Sequence, residues 1–199
     1  MHMAFDYYFF YKPYKVLSQF SEEGDKETLA SFFKNIKKDV YPVGRLDYDS
    51  EGLLLLTNDK ALNHRLLNPL FVHERTYWAQ VEGTPTEVAL QQLIKGTVIN
   101  IDGKAYKTKP AKVAWMKDEP EVPLRNPPIR YRESIPTSWL SITLVEGKNR
   151  QVRKMTASVN LPTLRLIRHS IGKVSLDNMQ PGEIYQADSN FIQKLFERQ

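Results

Sequence analysis

Gly44-Arg45-Leu46-Asp47-Tyr48-Asp49-Ser50-Glu51-Gly52-Leu53-Leu54-Leu55-Leu56-Thr57-Asn58-Asp59 sets three acids and an arginine directly before four leucines. Leu53 to Leu56 reads as a buried strand, and Asp59 as the cap of a helix through about Leu67, ended by Asn68-Pro69. Charge at this density beside a core strand costs free energy unless each carboxylate is paired, solvated or used in chemistry. One of the acids is therefore a candidate catalytic group. The alternation of Asp47, Asp49 and Glu51 before Gly52 invites a calcium loop, but its twelfth position holds Asn58 where a bidentate glutamate is needed. Asp49 and Glu51 then read as solvated turn acids that cap backbone amides. Asp47 differs, because after Arg45 and Leu46, on the strand side of the turn, it falls between core and surface, where a paired arginine would keep it ionised.

Outward from this stretch, strands and helices alternate. Phe5 to Tyr11 is an aromatic strand stopped by Lys12-Pro13. Lys26 to Lys37 has apolar residues at 29, 32, 33 and 36 and predicts a helix. Thr76 to Val81 is strand-like and Thr86 to Leu93 helical. Val98 to Ile101 ends in the turn Asp102-Gly103, so Ala105 to Trp115 should pair back along it. Prolines at 120, 123, 127, 128 and 136, with Arg125, Arg130 and Arg132 between them, make 117–136 a loop insertion. Trp139 to Val145 predicts a strand, Arg150 to Val159 a helix and Leu164 to Leu176 further strand, and Asp188 caps a short last helix. The order implies an α+β domain with a largely antiparallel sheet.

Composition narrows the function. The chain has 199 residues, 41% of them hydrophobic, and carries a net charge of +5, which favours an anionic partner. It has no cysteine, so disulfides, thiolate metal sites and a cysteine nucleophile are excluded. No apolar run approaches the roughly 20 residues needed to cross a bilayer, and the start at Met1 lacks the pattern of a signal peptide. A cytoplasmic protein without membrane attachment is expected.

A second constellation, Glu146-Gly147-Lys148-Asn149-Arg150-Gln151-Val152-Arg153-Lys154-Met155, puts four cations at the start of a helix, where the macrodipole disfavours positive charge. A phosphate backbone would reward that arrangement, and a solvated basic surface explains it equally well. Arg153 shares a face with Arg150 and could turn inward to a carboxylate. Tyr77 is either core or a phenol at a site edge that stacks on a base. His2, His64, His73 and His169 have no metal-ligand spacing, and neither GxGxxG nor a Walker sequence indicates a nucleotide cofactor.

Gly44-Arg45-Leu46-Asp47 with Ser50-Glu51-Gly52-Leu53-Leu54, then Arg75-Thr76-Tyr77 with Val81-Glu82-Gly83, then Glu146 to Arg153 resemble the successive motifs of the small-subunit-type (RsuA) family of pseudouridine synthases. The similarity runs from Lys12-Pro13-Tyr14 to about Gly182, and 125–130, 134–140 and 162–168 most resemble members that act on 23S rRNA. The resemblance implies a pseudouridine synthase fold: one catalytic domain over 1–199, with a central mixed, mostly antiparallel sheet in two halves, about 4–70 and 71–190, flanking helices and a catalytic cleft between them. Many relatives begin with a small S4 RNA-binding domain, and no room for one is expected before Phe5. The resemblance makes Asp47 the catalytic residue, as nucleophile or as base on a ribose proton, with no metal or organic cofactor. Arg153 would keep it ionised, Tyr77 would stack on the uracil and assist loss of the C5 proton, and Leu166 would close the apolar side of the pocket. Arg45 would interact with the vacated RNA position, and Lys12, Lys148, Arg150 and Lys154 would grip phosphates. The implied partner is a uridine of 23S rRNA, free or in the assembling large ribosomal subunit, and the default expectation is a monomer. The alternative is a catalytically inert RNA-binding or ribosome-assembly protein with the same fold.

Overall fold

The computed structural model describes residues 5–196 apart from 69 and 131, so Pro69, the expected helix stop, lies outside the described residues. The chain divides into two compact units, Met1–His73 with Ser170–Gln199, and Glu74–His169. The second unit thus ends at His169, not near 190, because the last strand returns to the first unit.

In the first unit, β1 (Tyr7–Lys12) is followed by the short β2 (Val16–Leu17), β3 (Glu27–Thr28) and β4 (Tyr41–Pro42), then β5 (Glu51–Thr57) and α1 (Lys60–Leu67). All seven β5 residues are buried, as a run of leucines without alternation requires. β1 pairs antiparallel with β5, Phe9 opposite Leu55 and Phe10 opposite Leu54. Lys26 to Lys37 is not an α-helix. After β3 it forms a single 3-10 turn, Leu29–Ser31, in which the Thr28 hydroxyl accepts the Ala30 N–H. Its apolar spacing serves aromatic packing instead: the Phe33 ring meets Tyr8, Phe10 and Phe20 at centroid distances of 6.1, 5.2 and 6.1 Å.

Asp59 does cap α1, accepting the Leu62 N–H at 3.0 Å, and its other oxygen accepts the Tyr7 hydroxyl at 3.0 Å. Burial, then Asp59, pushes the Tyr7 phenol up to about 12 from 10.0. The neutral phenol therefore contributes its stability in full below pH 10.0 and loses it as the pH rises to about 12. Asp59→Ala removes both contacts and is expected to cost about 1–2 kcal/mol in a urea titration.

In the second unit, β6 (Arg75–Glu82), α2 (Glu87–Ile94), β7 (Val98–Ile101), β8 (Lys104–Lys107), β9 (Lys112–Met116), β10 (Thr137–Leu144), α3 (Gln151–Ser158) and β11 (Thr163–Ile171) follow in order. The strands lie as β11-β6-β10-β9, with Tyr77 opposite Ile142 and Ala79 opposite Leu140. β7 and β8 form the expected Asp102-Gly103 hairpin, but β9 does not continue it: Lys112–Met116 pairs with β10. Ala79, Val81, Leu93, Leu140, Ile142 and Met155 build the core of this unit. Among the described residues of 117–136 there is no helix or strand.

The chain leaves the second unit within β11. Ser170 and Ile171 pair with β12 (Val174–Ser175), β13 (Ile184–Ala187) lines up on β1, and Asp188 caps the short α4 (Ser189–Ile192). The content is α+β; β1 pairs antiparallel with β5 and β13, β4 with β5, β10 with β6 and β9, β7 with β8 and β11 with β12, while β2 and β3 are parallel.

Candidate functional site

The loop from β4 to β5 holds Asp47 by its backbone. Val43 N–H donates to Leu55 O at 2.8 Å, and Gly44, at φ 69, turns the chain where a Cβ would come 3.2 Å from Leu67 Cδ2. The Ser18 hydroxyl then accepts the Leu46 N–H at 3.1 Å and donates to Leu46 O at 2.9 Å. Lys15 N–H donates to Tyr48 O at 2.9 Å, and Ser50 N–H to Asp47 O at 3.0 Å. Leu46 is buried, Arg45 is exposed, and Asp47 between core and solvent is half-buried. Asp47 lies in this loop, four residues before β5 begins, and not on the strand side of the turn. Fixed backbone on both sides is what a reacting carboxylate needs, since it need not be reorganised when substrate arrives.

Two expectations in this unit change. Glu51 is not a solvated turn acid: it is 2% exposed and opens β5. Lys12 is not a surface cation for phosphate. It is fully buried, and its ammonium donates to Pro13 O at 2.8 Å and Val16 O at 2.7 Å, because a buried charge must be hydrogen-bonded.

In the second unit the segment before α3 is organised by an acid that the sequence reading passed over. Glu146 is 8% exposed. It accepts the Tyr106 hydroxyl at 2.6 Å, the Lys109 N–H at 2.9 Å and the Gln151 side-chain amide at 2.6 Å. Gln151 in turn accepts the Lys148 N–H at 2.9 Å. Lys148, Asn149 and Arg150 are thereby held outward and exposed, with the Lys148 ammonium 4.9 Å from the Tyr106 ring centroid. Arg150 sits at φ 53, a left-handed conformation that costs a non-glycine residue on the order of 1 kcal/mol. Behind it, half-buried Arg153 donates to Thr163 O at 3.2 Å, and Lys154 is also half-buried.

Tyr77 is half-buried on β6 and packs against the core of the unit. Arg168, 5% exposed on β11, donates to its hydroxyl. Burial lowers the Arg168 pKa, Tyr77 opposes that shift, and nearby Arg75 adds to it. Leu166, 5% exposed, joins the same core two residues earlier, so it shares a strand face with Arg168. On the neighbouring strand position Trp78 stacks on His169 with ring centroids 3.8 Å apart. Arg168 carried no role in the sequence reading. Its parity with Leu166 in an alternating strand was the available signal.

The first unit therefore carries Asp47, Arg45 and Lys12, and the second carries Tyr77, Lys148, Arg150, Arg153, Lys154 and Leu166. Among the described residues no group of three His, Asp or Glu side chains could hold a metal ion, and no helix is long and apolar enough to cross a membrane.

Residues 6–158 match the family described as RNA pseudouridylate synthase, a span that takes in both the Asp47 loop and the basic turn into α3. The chain is 51% identical over 174 residues to the ribosomal large subunit pseudouridine synthase E of Vibrio vulnificus, covering 87% of this chain and 71% of that one. It is also 51% identical to the protein of the same description from Xanthomonas campestris pv. campestris, over 86% of this chain and 90% of that one. Among solved structures, "Crystal structure of pseudouridylate synthase" is similar with a TM-score of 0.76 and 25% identity, over 98% of this chain and 76% of that chain. With half of the aligned positions identical to such relatives, and a family match that spans the rigid aspartate loop and the Glu146-centred turn alike, the chain belongs to the RNA pseudouridylate synthase family.

Proposed function

We propose that this chain isomerises a uridine of the large-subunit (23S) ribosomal RNA to pseudouridine, with Asp47 as the catalytic carboxylate. The supporting observation is the fixed loop: the Ser18 hydroxyl and the Lys15 amide hold the backbone beside a half-buried aspartate. In the reaction the bond from ribose C1′ to uracil N1 breaks, a bond from C1′ to C5 forms, C5 loses its proton and N1 gains one. Atoms and electrons balance within the nucleoside, so the chemistry needs a carboxylate and proton transfer, and neither a redox cofactor nor a second substrate. Asp47 acts as nucleophile or as base on a ribose proton, and Arg153 is assigned as a further catalytic residue. Tyr77, held at its oxygen by Arg168, stacks on the uracil and assists loss of the C5 proton. Leu166 provides apolar surface to the base.

The target base must leave its stack, and the exposed Arg45 is assigned to the vacated position. Lys148, Arg150 and Lys154 grip phosphates, and the protein works as a cytoplasmic monomer. Incubation with unmodified 23S rRNA, followed by carbodiimide treatment and reverse transcription, is expected to give one new stop; no stop would overturn the reading. Arg150→Ala is expected to weaken RNA binding and to reduce the slope of log affinity against log salt by about 0.7–0.9 in a filter-binding titration.

A further inference from the structure

Two arginines anchor residues 123–128 of the insertion. Arg125 donates to Pro127 O at 2.8 Å and Pro128 O at 2.8 Å within the insertion, and to Leu164 O at 3.3 Å on β11. From the other side Arg165 of β11 donates to Pro123 O at 2.9 Å. Residues 123 and 125 are thus both tied to the same strand and half-buried, yet Leu124 between them is 98% exposed. A single exposed leucine is ordinary on a mobile loop. Here the backbone on either side is hydrogen-bonded while the side chain between stays in solvent.

We propose that Leu124 is a wedge that packs against an unstacked base of the substrate RNA beside the target uridine. The inference rests on the RNA-modifying function given above. The anchor at Leu164 lies two residues from Leu166 and four from Arg168, the partner of Tyr77, which is about 7 to 13 Å along a strand. The anchors therefore bring the insertion to the strand that carries Leu166 and Arg168. The adjacent carbonyl, Thr163 O, is held by Arg153. One leucine is the right size for one base step, whereas a stable protein partner would bury roughly 800 Å² per side, far more than one side chain offers. Arg130, exposed later in the insertion, adds charge suited to the phosphates of that RNA.

The test is single-turnover tritium release from C5-tritiated 23S rRNA transcript at saturating protein, for the wild type, Leu124→Ser and Leu124→Phe. Leu124→Ser is expected to slow release roughly tenfold or more while RNA affinity stays within about twofold, and Leu124→Phe to restore most of the rate. Thermal unfolding of all three should coincide, since the side chain is solvated. A Leu124→Ser rate within about twofold of wild type overturns the wedge and leaves the leucine to a protein partner; equal slowing by serine and phenylalanine also overturns it. Absence of release by the wild-type protein would instead overturn the parent function, and the proposal with it.

Discussion

Replacing Asp47 by asparagine is expected to lower pseudouridine formation by at least about a thousandfold while leaving RNA affinity within about twofold. The side chains are nearly isosteric, and the loop is fixed through main-chain groups: Leu46 to Ser18, Tyr48 to Lys15, and Asp47 O to Ser50 N–H. The substitution should therefore remove the negative charge without moving the residue. An amide neither attacks C1′ nor takes a ribose proton at neutral pH, so both roles open to Asp47 are lost together. Tritium released at the wild-type rate from C5-labelled RNA would sink the assignment. A matching loss of RNA affinity would show that the change had disturbed the loop instead.

Loss of Glu146 has the largest structural effect we expect. Glu146→Ala leaves the Tyr106 hydroxyl, the Lys109 amide and the Gln151 side-chain amide without their acceptor, and water replaces it only in part because Gln151 is 4% exposed. The cost is about 2–4 kcal/mol, a fall in melting temperature of about 5–10 °C in calorimetry. A fall of a degree or less would refute the assigned role. A local readout accompanies it. Tyr106 titrates above its ordinary 10.0, first because its hydroxyl is bonded to the Glu146 carboxylate, then through burial and the charge itself. In the variant its ultraviolet titration should move back down. The sign of the pH effect follows: a raised phenol pKa supports the fold below pH 10.0 and loses that support as the phenol ionises above it. RNA affinity should fall as well, because Lys148, Asn149 and Arg150 are exposed on a turn that Glu146 holds in place.

Features encoded by neighbours in sequence are legible from the sequence itself. The leucine run had to be a buried strand, Asp59 had to cap what followed, and Asp102-Gly103 had to turn a hairpin. Features set by distant partners are not. The apolar spacing at Leu29, Phe32 and Phe33 looked helical, yet those rings answer to Tyr8, Phe10 and Phe20. Lys112–Met116 has the alternation to extend the hairpin, and only competition from β10 decides its partner. Lys12 appeared to be a surface cation because charge is normally solvated, and its burial depends on two carbonyls that bend back toward it. The candidate site divides in the same way. Asp47 stood out because acids so near a core strand demand an account, whereas Glu146 was visible only as the start of the basic motif: its donors, Tyr106, Lys109 and Gln151, come from segments whose meeting no local pattern records.

The pairing of β1 with β13 joins Tyr7 to Ala187, 180 positions apart. During synthesis at about 5–20 residues per second, β1 waits roughly 10–40 s for that neighbour. The stretch Glu74–His169 is continuous, so every strand it needs from within itself has been made before Ser170. The part that bears Asp47 is completed only when the tail is translated. An enzyme so arranged completes the Glu146-centred turn before α3 early in its own synthesis and the full framework around Asp47 last.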